Sequence, residues 1–128
     1  MYGGYVTEFV RNGANLLTVI TNDGWWDNTA GHIQHMQLSS LRAIENRKHV
    51  VRSANSGISC FIDSKGVIYN RSNYNERTAL KGSVILDETA TFYTAYGDIL
   101  GRISLLMSIW LLISIVANNI QKRKQNTV

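Results

Sequence analysis

Residues 103–120 run ISLLMSIWLLISIVANNI, eighteen positions without a charge and with only Ser and Asn as polar interruptions. As a helix this stretch is about 27 Å long, close to the roughly 30 Å hydrocarbon layer of a bilayer. It is apolar on every side and too long for the core of so small a domain, so it reads as a membrane span. Arg102 precedes it, where a long side chain snorkels to the interface, and Tyr93 and Tyr96 stand where an interfacial aromatic belt is expected. Lys122, Arg123 and Lys124 follow it, and a cationic flank beside a span stays in the cytoplasm. The expected organisation is a globular part, residues 1–98, outside the cytoplasm, and a transmembrane helix with a basic tail, residues 99–128. A secretory leader is a different matter: the apolar run lies at the wrong end for one, and the first residues do not resemble one.

Charge then narrows the partners. The 128 residues carry 13 Lys plus Arg against 9 Asp plus Glu, and removing the three tail cations leaves a nearly neutral body. A nucleic-acid footprint needs cations spread along one face, so that class is excluded. The single cysteine, Cys60, has no internal disulfide partner. His32, His35 and His49 lack thiolate neighbours and ligand-type spacing, so no metal is expected and no cofactor is called for.

Along the body the pattern is helix, strand, helix, then strands. Residues 3–12 put Tyr5, Val6, Phe9 and Val10 on one helical face and stop at Asn12-Gly13. LLTVIT at 16–21 is a short continuous apolar run, as in a strand buried on both faces. A polar, aromatic turn, NDGWWDN, leads to a helix over 29–47, with Thr29 as cap and Ile33, Met36, Leu41 and Ile44 as its core face. Strands are predicted at 50–53, 58–63 and 67–70, with Ser64-Lys65-Gly66 as a hairpin turn, and another at 80–86. Arg42 and Glu45, one turn apart, read as structural, either pairing with each other or capping neighbouring loops. Arg52, Asn55 and Gly57 set the turn after a sheet strand, with Gly57 supplying positive φ. No strand precedes 16–21 to pair with it, and an α/β core of this size leaves sheet edges open. The chain is therefore expected to be a piece of a longer fold.

Several spaced motifs carry a resemblance: GANLL at 13–17, TNDGWW at 21–26, QH at 34–35, LRAIE at 41–45, VRSANSGIS at 51–59, TFY at 91–93 and YGD at 96–98. In that order they closely resemble apolipoprotein N-acyltransferase, the membrane-embedded member of the nitrilase (carbon-nitrogen hydrolase) superfamily. The resemblance implies part of an α-β-β-α sandwich, an α/β class, on the extracytoplasmic side of the inner membrane, followed here by one C-terminal transmembrane helix. It implies a thioester ping-pong reaction. A cysteine takes an acyl chain from a phospholipid and passes it to the amino group of a diacylglyceryl cysteine on a lipoprotein.

The family's catalytic Glu, Lys and Cys lie upstream of the helix that starts at Gly3 and have no counterparts in this chain. No catalytic residue is assigned, the chain alone is expected to be inactive, and the missing N-terminal part of the same fold is an implied partner. Cys60 does not fill the vacancy, since it sits inside an apolar strand and reads as a buried, inert thiol. What the resemblance maps to the substrate pocket is the loop holding Asn22, Asp23, Trp25 and Trp26. Paired tryptophans in a Gly-bearing loop suit an acyl chain or a membrane interface. Two other classes stand beside this one: a nitrilase-type amidohydrolase fused to a membrane anchor, and a non-catalytic single-span remnant of the fold. The coding sequence upstream of Met1 discriminates among the three.

Overall fold

The computed structural model describes residues 2–125; Met1, on which the question of a true start turns, and residues 126–128 lie outside the described residues. The chain divides into two compact units, Met1–Gly97 and Asp98–Val128.

The first unit is α/β. Helix α1 (Gly3–Arg11) ends at Asn12, whose N–H reaches the Glu8 carbonyl at 3.0 Å, and Gly13 turns the chain at φ +96°. Strand β1 (Leu16–Thr21) follows, then a 3₁₀ turn (Gly24–Trp26), then helix α2 (Ala30–Asn46). As expected, Thr29 caps α2, its Oγ1 accepting from the Gly31 N–H at 3.3 Å. Arg47 closes α2 in the left-handed region at φ 52°. Strand β2 (His49–Ala54) lies parallel to β1, with Val19 opposite Arg52 and Thr21 opposite Ala54, so β1-α2-β2 is one crossover unit. Strands β3 (Cys60–Ile62) and β4 (Ile68–Tyr69) add antiparallel through the Ser64-Lys65-Gly66 turn, giving the sheet order β1-β2-β3-β4. Gly66 has φ +83°, and a Cβ there would stand 2.7 Å from the Ile44 side chain.

Both helices cover one face of the sheet. The core between them is Val6 and Val10, Leu17 and Val19, Met36 and Ala43, Val50, and Ile58, Cys60 and Ile62. The core is thin, and three sequence expectations are corrected around it. First, β1 is not buried on both faces: Leu17 and Val19 are buried, while Thr18 is exposed and Ile20 is 89% exposed, because no layer of the described chain covers that face of β1. Second, residues 80–86 form no strand. They cross beyond Phe61, against whose ring Gly82 packs, and side chains rather than a ladder take their carbonyls: Asn70 Nδ2 donates to Lys81 O at 2.6 Å and Tyr69 Oη to Ser83 O at 3.0 Å. Third, α2 buries a different stripe from the one its apolar residues mark. His32, Met36, Ser39, Arg42, Ala43 and Asn46 face inward, and Ile33, Leu41 and Ile44 are each more than two-fifths exposed. Helical spacing is kept, but polar groups occupy it because each finds a partner inside.

Residues 71–91 return as irregular chain to a short helix, α3 (Phe92–Tyr96), which the sequence reading did not predict. Lys48 Nζ donates to Thr89 O at 2.6 Å and Thr91 Oγ1 to Glu45 O at 2.5 Å, strapping this segment to the end of α2. Arg11 Nε donates to Thr94 O at 2.6 Å and holds α3 on α1. The second unit is helix α4 (Ile99–Gln125), opened by Asp98, whose Oδ1 accepts from the Gly101 N–H at 2.8 Å. Residues Ile99–Asn119 have a mean hydropathy of 2.2 and the described chain buries none of them, so the helix is long and apolar enough to cross a membrane. Ser108 and Ser114 return their hydroxyls to the carbonyls of Ser104 and Trp110, the local satisfaction a lipid environment demands. The basic flank falls partly beyond reach: the side chains of Arg123 and Lys124 are outside what the structure describes.

Candidate functional site

Parallel strands present their C-terminal ends to a common edge, the usual location of a site in α/β sheets. Here that edge carries the loop after β1, residues 22–28, and the loop after β2, residues 55–59. Their backbones are joined: the Asp23 N–H donates to Ser56 O at 2.7 Å and the Asn55 N–H to Thr21 O at 2.9 Å. Gly57 adopts φ +140°, and a Cβ at that position would stand 2.8 Å from Asp23 Oδ2. Only glycine allows both the backbone angle and this approach.

Beneath the two loops lies an ion pair that is fully buried on both sides. Arg52 Nη2 donates to Asp23 Oδ2 at 2.5 Å, and both side chains are 0% exposed. The other two guanidinium nitrogens are engaged as well, Nε on Ile58 O at 3.2 Å and Nη1 on Ser39 Oγ at 3.1 Å. Asp23 Oδ1 accepts from Thr21 Oγ1 at 3.1 Å and lies 2.8 Å from His35 Nδ1. Burial alone would raise the Asp23 carboxyl, but the hydrogen bond from His35 and the charge and hydrogen bond of Arg52 outweigh it and hold it below the usual carboxylate range. Asp23 is therefore ionised at neutral pH, and the cluster is a satisfied network tying together β1, β2 and α2.

The four residues predicted to line a pocket are thus divided. Asn22 Oδ1 accepts from the Gly24 N–H at 3.1 Å and starts the 3₁₀ turn. Asp23 points inward to Arg52. Trp25 is 89% exposed. Trp26 is 41% exposed and seated: its ring lies 5.0 Å from that of His35 and over Gly31, where a Cβ would come within 2.6 Å of the indole. Asp27, next in the chain, has φ 47°. Asn22 and Asp23 build the loop's backbone and foundation, while Trp25 and Trp26 form its surface.

Arg52, predicted to set the turn after β2, spans that turn through its bond to Ile58 O and also carries the buried charge. The Arg42–Glu45 pair is present at 3.0 Å. Sequence reasoning missed His35 as a partner of Asp23. The signal available was an acidic residue just after one strand, a basic residue within the next, and an imidazole on the helix between them. On the far side of the β2 loop, Ser53, Asn55, Asn75, Glu76 and Arg77 edge a polar cleft of about 390 Å³. Cys60 is remote from this surface in kind: it is buried in β3 opposite Arg52, and burial raises its thiol against the weaker pull of Arg52 and Arg71. Among the described residues no cluster of His, Cys, Asp or Glu has the makings of a metal site.

The geometry describes an α/β sheet whose parallel strand ends carry a rigidly founded, Trp-bearing loop. Residues 2–93 match the carbon-nitrogen hydrolase family model, and the chain belongs to that family. Among its relatives, the apolipoprotein N-acyltransferase of Chlorobaculum tepidum is 39% identical over 105 residues, covering 82% of this chain and 20% of the relative. That of Geobacter metallireducens is 42% identical over 91 residues, 71% of this chain and 18% of the relative. Apolipoprotein N-acyltransferase 1 of Treponema denticola is 31% identical over 125 residues, 95% of this chain and 23% of the relative. The chain thus spans about a fifth of the length of these relatives.

Proposed function

We propose that this chain is the C-terminal segment of a lipoprotein N-acyltransferase, supplying one wall of the acyl site and a membrane anchor. The observation that carries the reading is the Trp25-bearing loop at the end of β1, exposed above a foundation of fully buried charge. An apolar surface of this kind receives an acyl chain without reorganising. The acyl donor is a phospholipid and the acceptor the N-terminal diacylglyceryl cysteine of a lipoprotein. The catalytic Glu, Lys and Cys belong to the upstream part of the longer polypeptide, so the chain alone transfers nothing. The globular unit lies on the extracytoplasmic side of the inner membrane, with Lys122 to Lys124 in the cytoplasm.

The two tryptophans provide the test. In a polypeptide of the relatives' length carrying this segment, Trp25→Ala should lower acyl transfer about tenfold with the melting temperature unchanged, because the lost surface is contact area rather than core. Trp26→Ala should lower both, since its ring packs on Gly31 and His35. Loss of stability without loss of rate in Trp25→Ala would remove the acyl-wall assignment. For orientation, a reporter after Val128 should be cytoplasmic and one near Asn73 external; protease protection placing both on one side refutes that topology.

A further inference from the structure

His35 is where the buried charge cluster meets solvent. Asp23 and Arg52 are sealed, whereas the His35 side chain keeps 19% of its surface. Its Nδ1 lies 2.8 Å from Asp23 Oδ1 and 3.2 Å from Arg52 Nη2. A carboxylate only accepts, so Nδ1 carries the proton, and imidazole and guanidinium are two donors converging on the two oxygens of one carboxylate. The ring also lies against Trp26 at a centroid distance of 5.0 Å. One side chain on α2 therefore touches the loop twice, at its buried root and at its indole, three residues apart.

The loop needs such a hold. Its 3₁₀ turn is only Gly24–Trp26, no side-chain bond caps it at Asp23, and it leaves through Asp27 at φ 47° and ψ −158°. That is a backbone conformation glycine adopts freely and other residues adopt only when the surroundings impose it. His32, one turn earlier on α2, supplies a second contact: its Nδ1 is 3.2 Å from Asp27 O and its ring lies tilted against that of Tyr74 at 4.3 Å.

We propose that His35 is a positioning residue: by donating from Nδ1 to Asp23 while seating Trp26, it fixes the loop 22–27 in the single conformation that presents Trp25 at the strand ends. The proposal rests on the acyl-wall reading for its functional consequence, but its structural content stands apart from it. A free loop would spread the Trp25 indole over many positions, and an acyl chain would have to select the correct one, losing affinity by the fraction populated.

The experiment compares His35→Ala, His35→Asn and His35→Gln in the full chain in detergent micelles, reading amide hydrogen exchange at Gly24–Trp26 and at β2. Asn places its amide N–H where Nδ1 stands; Gln places it near Nε2. His35→Ala should raise exchange in the loop about tenfold or more relative to β2, and Asn should restore most of the protection while Gln should not. Unchanged loop protection in His35→Ala, or rescue by Gln rather than Asn, overturns the proposal. If Ala loosens the whole unit, the Asn against Gln comparison still decides. In the longer polypeptide, acyl transfer should follow the same order, with the loss in KM. A wild-type polypeptide that transfers no acyl group would sink the proposed function and leave the exchange result standing.

Discussion

Asp23→Ala should destabilise the globular unit by about 3–5 kcal/mol, the effect expected when one partner of a buried ion pair is removed and the other is left uncompensated. The expectation follows from the enclosure of Arg52, whose side chain has no exposed surface through which to recover hydration. Its bonds to Ile58 O and Ser39 Oγ satisfy donors but supply no counter-charge. Asp23→Asn keeps the shape and removes the charge, and it should fall in the same range. Arg52→Met, which strands the carboxylate, should cost comparably, with His35 and Thr21 remaining as its partners. The double variant Asp23→Leu/Arg52→Met should recover only part of the loss, because it also orphans the Ile58 carbonyl and the Ser39 hydroxyl. Guanidinium denaturation of the detergent-solubilised chain, followed by Trp26 emission with Trp25 and Trp110 replaced by Phe, measures each step. A loss below about 1 kcal/mol for Asp23→Ala would show that water reaches the pair.

The same pair sets an acid limit. The Asp23 carboxyl is depressed in the folded chain, so its contribution is complete above the unfolded-chain value near 3.9 and is lost as pH falls through the lower folded value. Wild-type stability should therefore decline below about pH 4, and Asp23→Asn should flatten that decline.

How much of this was legible in the sequence depends on whether the deciding interaction is local. β1 is found where LLTVIT places it, and the Thr29 cap and the turn at 64–66 follow from chemistry within a few residues. The buried face of α2 did not follow. Apolar periodicity marked Ile33, Leu41 and Ile44, but the helix turns Ser39, Arg42 and Asn46 inward because their partners, Arg52, Glu45 and Thr94, are supplied by other turns and other elements. Residues 80–86 failed for the converse reason: strand-forming composition needs an unpaired neighbour, and β4, two residues long, offers the side chain of Tyr69, with Asn70 just after it, instead of a ladder. The site was half legible. Trp25 and Trp26 announce a surface by their type, whereas Asp23 looks like a polar loop residue until the parallel register brings Arg52, 29 positions away, beneath it.

Cys60 should react slowly in the folded chain, with disulfide exchange by an aromatic reagent on the order of a thousandfold slower in the native state than after unfolding. Two independent features require this. The side chain is 1% exposed, in β3 between the sheet and the helical layer, so a reagent reaches it only when the core opens. Burial also raises the thiol, and the cations that oppose this, Arg52 foremost, fail to offset it; Arg52's charge is already engaged by Asp23. Nucleophilic attack needs the thiolate, so native Cys60 lacks both access and charge. An activated ester should consequently leave no acyl adduct on the folded chain at neutral pH. Cys60→Ala, which removes the sulfur without adding a buried hydroxyl, should leave acyl transfer by the longer polypeptide within about twofold of wild type. Mass spectrometry after incubation with ester decides between the outcomes: an adduct on native Cys60 that disappears in Cys60→Ala, together with loss of transfer, would move the chemistry into β3 and refute both the inert thiol and the upstream location of the nucleophile.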